Sequence, residues 1–135
     1  MRKMLCILAA LTAALLLTAC DGGDVKNVEV IPWEASEIYS DKDIYAAIDG
    51  VKAYFQRGFS GCTMTSIGYV GDDAQERFEE LAQKHDADEG IILYSSFDVA
   101  EPDGPLEPNS TYNNWKWYLV RDKGGRWKHV DHGYG

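Results

Sequence analysis

Between Thr111 and Arg121 the chain reads TYNNWKWYLVR, and this segment constrains the fold more than any other. Trp115, Trp117 and Leu119 stand two residues apart, so on a strand they share one face, while Tyr112, Lys116, Tyr118 and Val120 fall on or near the other. Asp122-Lys123-Gly124-Gly125 comes next, a turn of the kind that joins antiparallel strands, and residues 126–132 (RWKHVDH) return as its partner. A sheet with two tryptophans on one face must be covered. The cover is legible upstream: Ser40-Asp41-Lys42-Asp43 starts a helix, with Ser40 as N-cap and acids at the positive end of the dipole. Ile44, Ile48, Val51 and Phe55 then recur at helical spacing, which predicts a helix over 41–57.

Residues 62–70, rich in Thr, Ile and Tyr, read as a strand that Gly68 weakens. Gly71-Asp72-Asp73 opens a second helix with Phe78, Leu81 and Ala82 on its buried face; its acids, from Asp72 to Glu80, form the solvated side. Residues 90–99 (GIILYSSFDV) are apolar on both faces at their start, as a central strand requires. Residues 100–109 (AEPDGPLEPN) hold three of the four prolines and form a loop. The expected fold is α+β in the order α-β-α-β-β-β, with two helices packed on one face of a curved four-stranded antiparallel sheet.

Residues 1–19 stand outside that fold. Arg2 and Lys3 precede an apolar run from Leu5 to Leu17, broken only by Thr12. At about 13 residues it matches the apolar core of a signal peptide and falls short of the roughly 18 needed to span a bilayer. The next four residues, Leu17-Thr18-Ala19-Cys20, resemble the lipobox of bacterial lipoproteins, in which small residues precede a cysteine that receives a diacylglyceryl group. That resemblance implies cleavage after Ala19, lipidation of Cys20 (palmitate being the usual acyl group), and anchoring to the outer face of the cell membrane. Two acyl chains suffice for a durable anchor. Residues 20–37, with two glycines and scattered acids, read as the lipidated cysteine and a flexible tether, in which Val28, Val30, Ile31 and Trp33 leave room for a short strand or docked segment. Residues 38–135 are the single domain.

Removing Arg2 and Lys3 leaves 11 cations against 22 acids, a net charge of −11 that opposes nucleic acid and anionic headgroups. Cys6 leaves with the signal and Cys20 with the lipid, so Cys62 has no partner for a disulfide and reads as a buried core residue.

The segments at 95–99 (SSFDV), 108–121 (PNSTYNNWKWYLVR), 124–128 (GGRWK) and 133–135 (GYG) resemble a family of small uncharacterised lipoproteins of Gram-positive gut bacteria, over about residues 36–135. The resemblance implies a shared address and fold and transfers no catalytic residue. The element order is also similar to the cone of the cystatin and nuclear-transport-factor-2-like superfamily. That cone hosts enzymes, binding modules and scaffolds alike, so function rests on a site.

If the hairpin loop holds an odd number of residues, Trp127, His129 and Asp131 join the tryptophans; an even loop places them with Lys116 and Tyr118. The odd register separates apolar from charged residues better and is the one expected. It gathers Trp115, Trp117, Trp127 and His129, with Leu93 and Phe97 beside them, as either core filling or the wall of a pocket for an apolar or carbohydrate-like ligand. His129 and Asp131 should point one way and His132 the other, which argues against a metal site among the three. His129 oriented by Asp131 or Asp98 is the one acid–base pairing on offer, for a small hydrolase or isomerase. No nucleophile motif, phosphate loop or nucleotide fingerprint accompanies it, so no cofactor is implied. The expected role is a non-enzymatic binding or interaction module for an unidentified protein or small molecule, acting through the sheet, the proline-rich loop or both, with a cystatin-like inhibitory or structural lipoprotein acting through its loops as the other alternative. Asn109-Ser110-Thr111 fits a glycosylation sequon, a coincidence in a bacterial chain.

Overall fold

The structure, a computed structural model, describes residues 22–134; the expected signal peptide and the expected lipidation site at Cys20 lie outside them. The elements are β1 (Glu29–Val30), α1 (Asp41–Gly58), β2 (Cys62–Tyr69), a 3₁₀ turn (Asp72–Ala74), α2 (Gln75–Lys84), β3 (Glu89–Val99), β4 (Ser110–Arg121) and β5 (Lys128–Gly133). The fold is α+β. Its sheet has five strands in the order β1-β2-β3-β4-β5 and is mixed, where four antiparallel strands were expected. The added strand is β1, which runs parallel to β2, with Glu29 opposite Ser66 and Val30 opposite Ile67. Parallel neighbours need a crossover of a dozen or more residues, and α1 supplies it.

α1 begins as its sequence dictates: Ser40 Oγ accepts from the Asp43 amide at 3.1 Å, and Asp41 and Asp43 occupy the first turn. Ile44, Ala47, Ile48, Val51 and Phe55 are buried against the sheet. They face Trp117, Leu119 and Phe97, which are fully buried. Trp117 sits at the centre, donating its indole N–H to Ser95 Oγ at 2.8 Å. Ser95 is itself the buried polar residue of this core.

α2 takes a different position from the one expected. Gly90 has room for no side chain because the Phe78 carbonyl and the Leu81 side chain lie directly over it. Leu81 also borders Ile92 and Tyr118, a cross-strand pair on the face away from Leu93 and Trp117. The two helices therefore cover opposite faces of the sheet, with Phe78 reaching round to Tyr39 and Tyr69.

The stretch read as a flexible tether is, across residues 22–37, docked on the domain. The Gly23 amide donates to the Gln56 carbonyl, Asp24 exchanges backbone bonds with Cys62 and Met64, and the Ile31 amide donates to Ile67. Glycine makes this possible: a Cβ on Gly22 would stand 2.3 Å from the Gln56 carbonyl oxygen, and one on Gly23 2.4 Å from that of Phe55. Further along, Asp72 takes three hydrogen bonds at 2.7 Å, from Ser36 Oγ, the Glu37 amide and Tyr69 OH. Gly68, read as a weakness in β2, is where Ile31 and the Tyr94 ring cross the strand, each 3.0 Å from where its Cβ would be. Among the described residues no helix is long and apolar enough to cross a membrane.

Two bulges decide where the functional side chains point. In β4, Ser95 pairs with Trp115 but Phe97 pairs with Tyr112, one residue out of step. Asn114 lies within the bulge with φ 62°, a conformation asparagine tolerates better than most residues. Tyr112, expected on the opposite face, is thereby turned onto that of Trp115 and stacks on Phe97. In β5, Leu119 pairs with His129, Tyr118 with Asp131 and Trp117 with His132. The odd register thus holds as far as His129; the extra residue beyond it turns Asp131 outward and His132 inward, reversing the expected directions of both.

Candidate functional site

The C-terminal end of α1 and the proline-rich loop enclose a cleft of about 300 Å³. α1 closes with the Phe59 amide on the Phe55 carbonyl, and Gly61, at φ 79°, turns the chain into β2. That turn also pins the loop, because the Ala100 amide donates to the Gly61 carbonyl and the Asn109 amide to that of Ala100. Inside the loop the Glu107 amide donates to Tyr112 OH, and Leu106 packs onto the core. Exposed apolar residues on this loop would have favoured a cystatin-like mode of action; instead its largest apolar side chain turns inward. Among the described residues the large exposed hydrophobics are Tyr45 and Tyr134.

The walls are Tyr54, Phe59 and Trp115, with His132 beside them. The Trp115 indole N–H donates to His132 Nδ1 at 3.3 Å, which assigns the proton of the neutral imidazole to Nε2. Behind it, His129 stacks on Tyr54 at 3.9 Å and on His132 at 5.4 Å between ring centroids. His129 Nε2 is buried without a hydrogen-bond partner. Burial pushes the pKa of both histidines down; for His129 the neighbouring His132 adds to this, while Asp131 opposes it in both. These surroundings favour the neutral ring in both.

No match to this chain is found among protein-family models, curated proteins or solved structures. The site is therefore read from its residues alone.

Of the four residues expected to share a wall, Trp115 alone borders the cleft. Trp117 lies in the core, enclosed by Phe55, Phe59 and Ser95. His129 sits one layer behind His132. Trp127 is on the same sheet face but at its far end, donating to the Asp43 carbonyl at 3.0 Å. The Arg121 guanidinium lies 4.3 Å from its ring centroid while pairing with Asp43 and Glu89. The space beneath Trp117 is thus filled by side chains. Neither expected carboxylate orients His129 as a base: Asp131 accepts from the His132 amide, and Asp98 accepts from Thr111 Oγ1. Among the described residues no three His, Cys, Asp or Glu side chains are grouped to hold a metal. Cys62 borders the cleft with its thiol pKa raised by burial, the opposite of what a nucleophile requires.

The proline-rich loop was among the expected binding elements, but sequence reasoning missed Tyr54, Phe59 and the inward turn of His132. The signal for Tyr54 and Phe59 was present in their places next to the apolar stripe of α1. His132 carried none, because the bulge that turns it inward leaves no mark at Val130.

Proposed function

We propose that this chain is a lipid-anchored lipoprotein on the outer face of the cell membrane, whose domain is a non-enzymatic binding module with the aromatic cleft as its recognition site. The address is supported by the Arg2-Lys3 start, the apolar run and Leu17-Thr18-Ala19-Cys20, and by the resemblance to small lipoproteins of Gram-positive bacteria. The observation that carries the binding role is the cleft itself. It is open, walled by Tyr54, Phe59 and Trp115, and held in shape by a loop pinned at both ends. A volume near 300 Å³ lies at the lower limit for sites that hold a small molecule or a few residues of a peptide. The comparison with the cystatin and nuclear-transport-factor-2-like cone belongs to the same reading. A hydrolase or isomerase has less support, since it needs an oriented His/Asp pair in an enclosed cavity.

Two measurements test the proposal. Detergent phase partition and mass spectrometry of the full chain should show a diacylglyceryl mass on Cys20 that Cys20→Ser abolishes; an intact Met1 start refutes the anchor. Native mass spectrometry of the chain extracted from its own membranes should show a bound species that Leu106→Asp loses. An adduct indifferent to that change refutes the cleft as the site.

A further inference from the structure

We infer that the cleft is a site for a small organic cation of the alkylated-ammonium class. The inference rests on the binding-module reading and specifies its ligand. Among the side chains that line the cleft, one carries a charge, and it is the carboxylate of Asp103 at the tip of the loop. Glu101 and Glu107 stand exposed on the same loop, and no lysine or arginine lines the walls.

Tyr54, Phe59 and Trp115 bring three π systems to one small volume. An ammonium lying over such rings is attracted by their quadrupoles, most strongly where water is excluded. His132 does not oppose a cation, because its surroundings favour the neutral ring and its Nδ1 lone pair already accepts from Trp115. The groups that face this imidazole from the packed elements are Tyr54 and Phe59 on α1, Trp115 and Trp117 on β4, and His129 and Asp131 on β5. None of them is a fixed cation.

The scarcity of acceptors selects within the class. A primary ammonium brings three N–H donors that each want an acceptor, and the side chains of the walls are chiefly apolar and aromatic, with the one carboxylate, Asp103, exposed on the loop. A quaternary nitrogen has no N–H to satisfy, so aromatic faces and one carboxylate suffice. The mature net charge of −11 adds long-range attraction for cations.

The test uses the full chain in a neutral maltoside detergent and two probes of the same shape, choline and its uncharged carbon isostere 3,3-dimethylbutan-1-ol. Nitrogen-15 NMR reads the Trp115 indole N–H as the local reporter. Choline is expected to shift that resonance with an affinity at least five-fold above that of the isostere. Asp103→Asn, an exposed loop change, should weaken choline about three-fold or more and leave the isostere unchanged. Equal binding of the two probes, a choline response indifferent to Asp103→Asn, or no choline shift at about 10 mM overturns the inference. Binding of the isostere alone overturns the cation while sparing the cleft as a binding site, which separates the two failures.

Discussion

Replacing Ser95 with alanine tests whether the core of this domain is specified by one buried polar contact. Ser95 and Trp117 are both fully buried, and the indole N–H donates to the hydroxyl at 2.8 Å. In Ser95→Ala the indole proton keeps its burial and loses its acceptor, a cost of about 1–3 kcal/mol. Trp117→Phe removes the donor and also leaves a void beneath α1. Trp→Ala changes in cores cost about 3–5 kcal/mol, so this smaller truncation should cost about 2–4. With both changes made, the unsatisfied groups disappear together, and the double variant should be more stable than the sum of the two losses by about 1–2 kcal/mol. Urea unfolding of the four chains, followed by tryptophan fluorescence and far-ultraviolet circular dichroism, measures this coupling. Losses that add to within about 0.3 kcal/mol would show that the contact contributes nothing beyond shape, and the reasoning would fail.

Four further outcomes are expected. Because the folded-state pKa values of His129 and His132 lie below the ordinary 6.5, the unfolded chain takes up their protons first. Stability should hold above neutral pH and fall as pH drops below about 6.5, and His129→Phe should flatten that part of a thermal-melt series. Asp43 and Asp72 have pKa values lowered chiefly by hydrogen bonds from Arg121 and Ser36, so they contribute stability above the ordinary carboxylate range that is lost below about pH 4, in the parent and the His129→Phe chain alike. Gly23→Val should detach the N-terminal segment from α1, raising hydrogen exchange at the Asp24 and Met64 amides at least ten-fold; unchanged protection would refute the steric account. Asp72→Asn should likewise loosen residues 36–39, seen as faster exchange at the Glu37 amide with the sheet unaffected.

Where periodicity decides structure, the sequence was legible. The stripe from Ile44 to Phe55, the Ser40 cap and the alternation of Trp115, Trp117 and Leu119 led to α1 and β4 within a residue or two of their observed ends. What could not be read depends on single residues in unusual places. Asn114 and the step beyond His129 each insert one residue into a ladder, and each reverses the facing of the strand on its far side, bringing Tyr112 and His132 to the aromatic cluster. The position of α2 depends on Gly90, whose missing side chain admits a helix where a larger residue would exclude it. Residues 28–33 left room for a short strand, but two residues carry no period that would place β1 in the sheet; its position is fixed by backbone hydrogen bonds to β2.

The packing of Gly22 and Gly23 against the end of α1 sets a distance. One residue, Asp21, lies between Gly22 and Cys20, so if Cys20 carries the proposed lipid, roughly 7 Å of chain at most leads from it to the docked Gly22, where a loose coil of 18 residues would allow several times more. With that anchor in place, a domain so closely moored would not search the space beyond the membrane. Under that proposal its ligand would arrive at the lipid surface, where the end bearing Tyr54 and Phe59, next to the docked Gly22 and Gly23, would be the nearest to receive it.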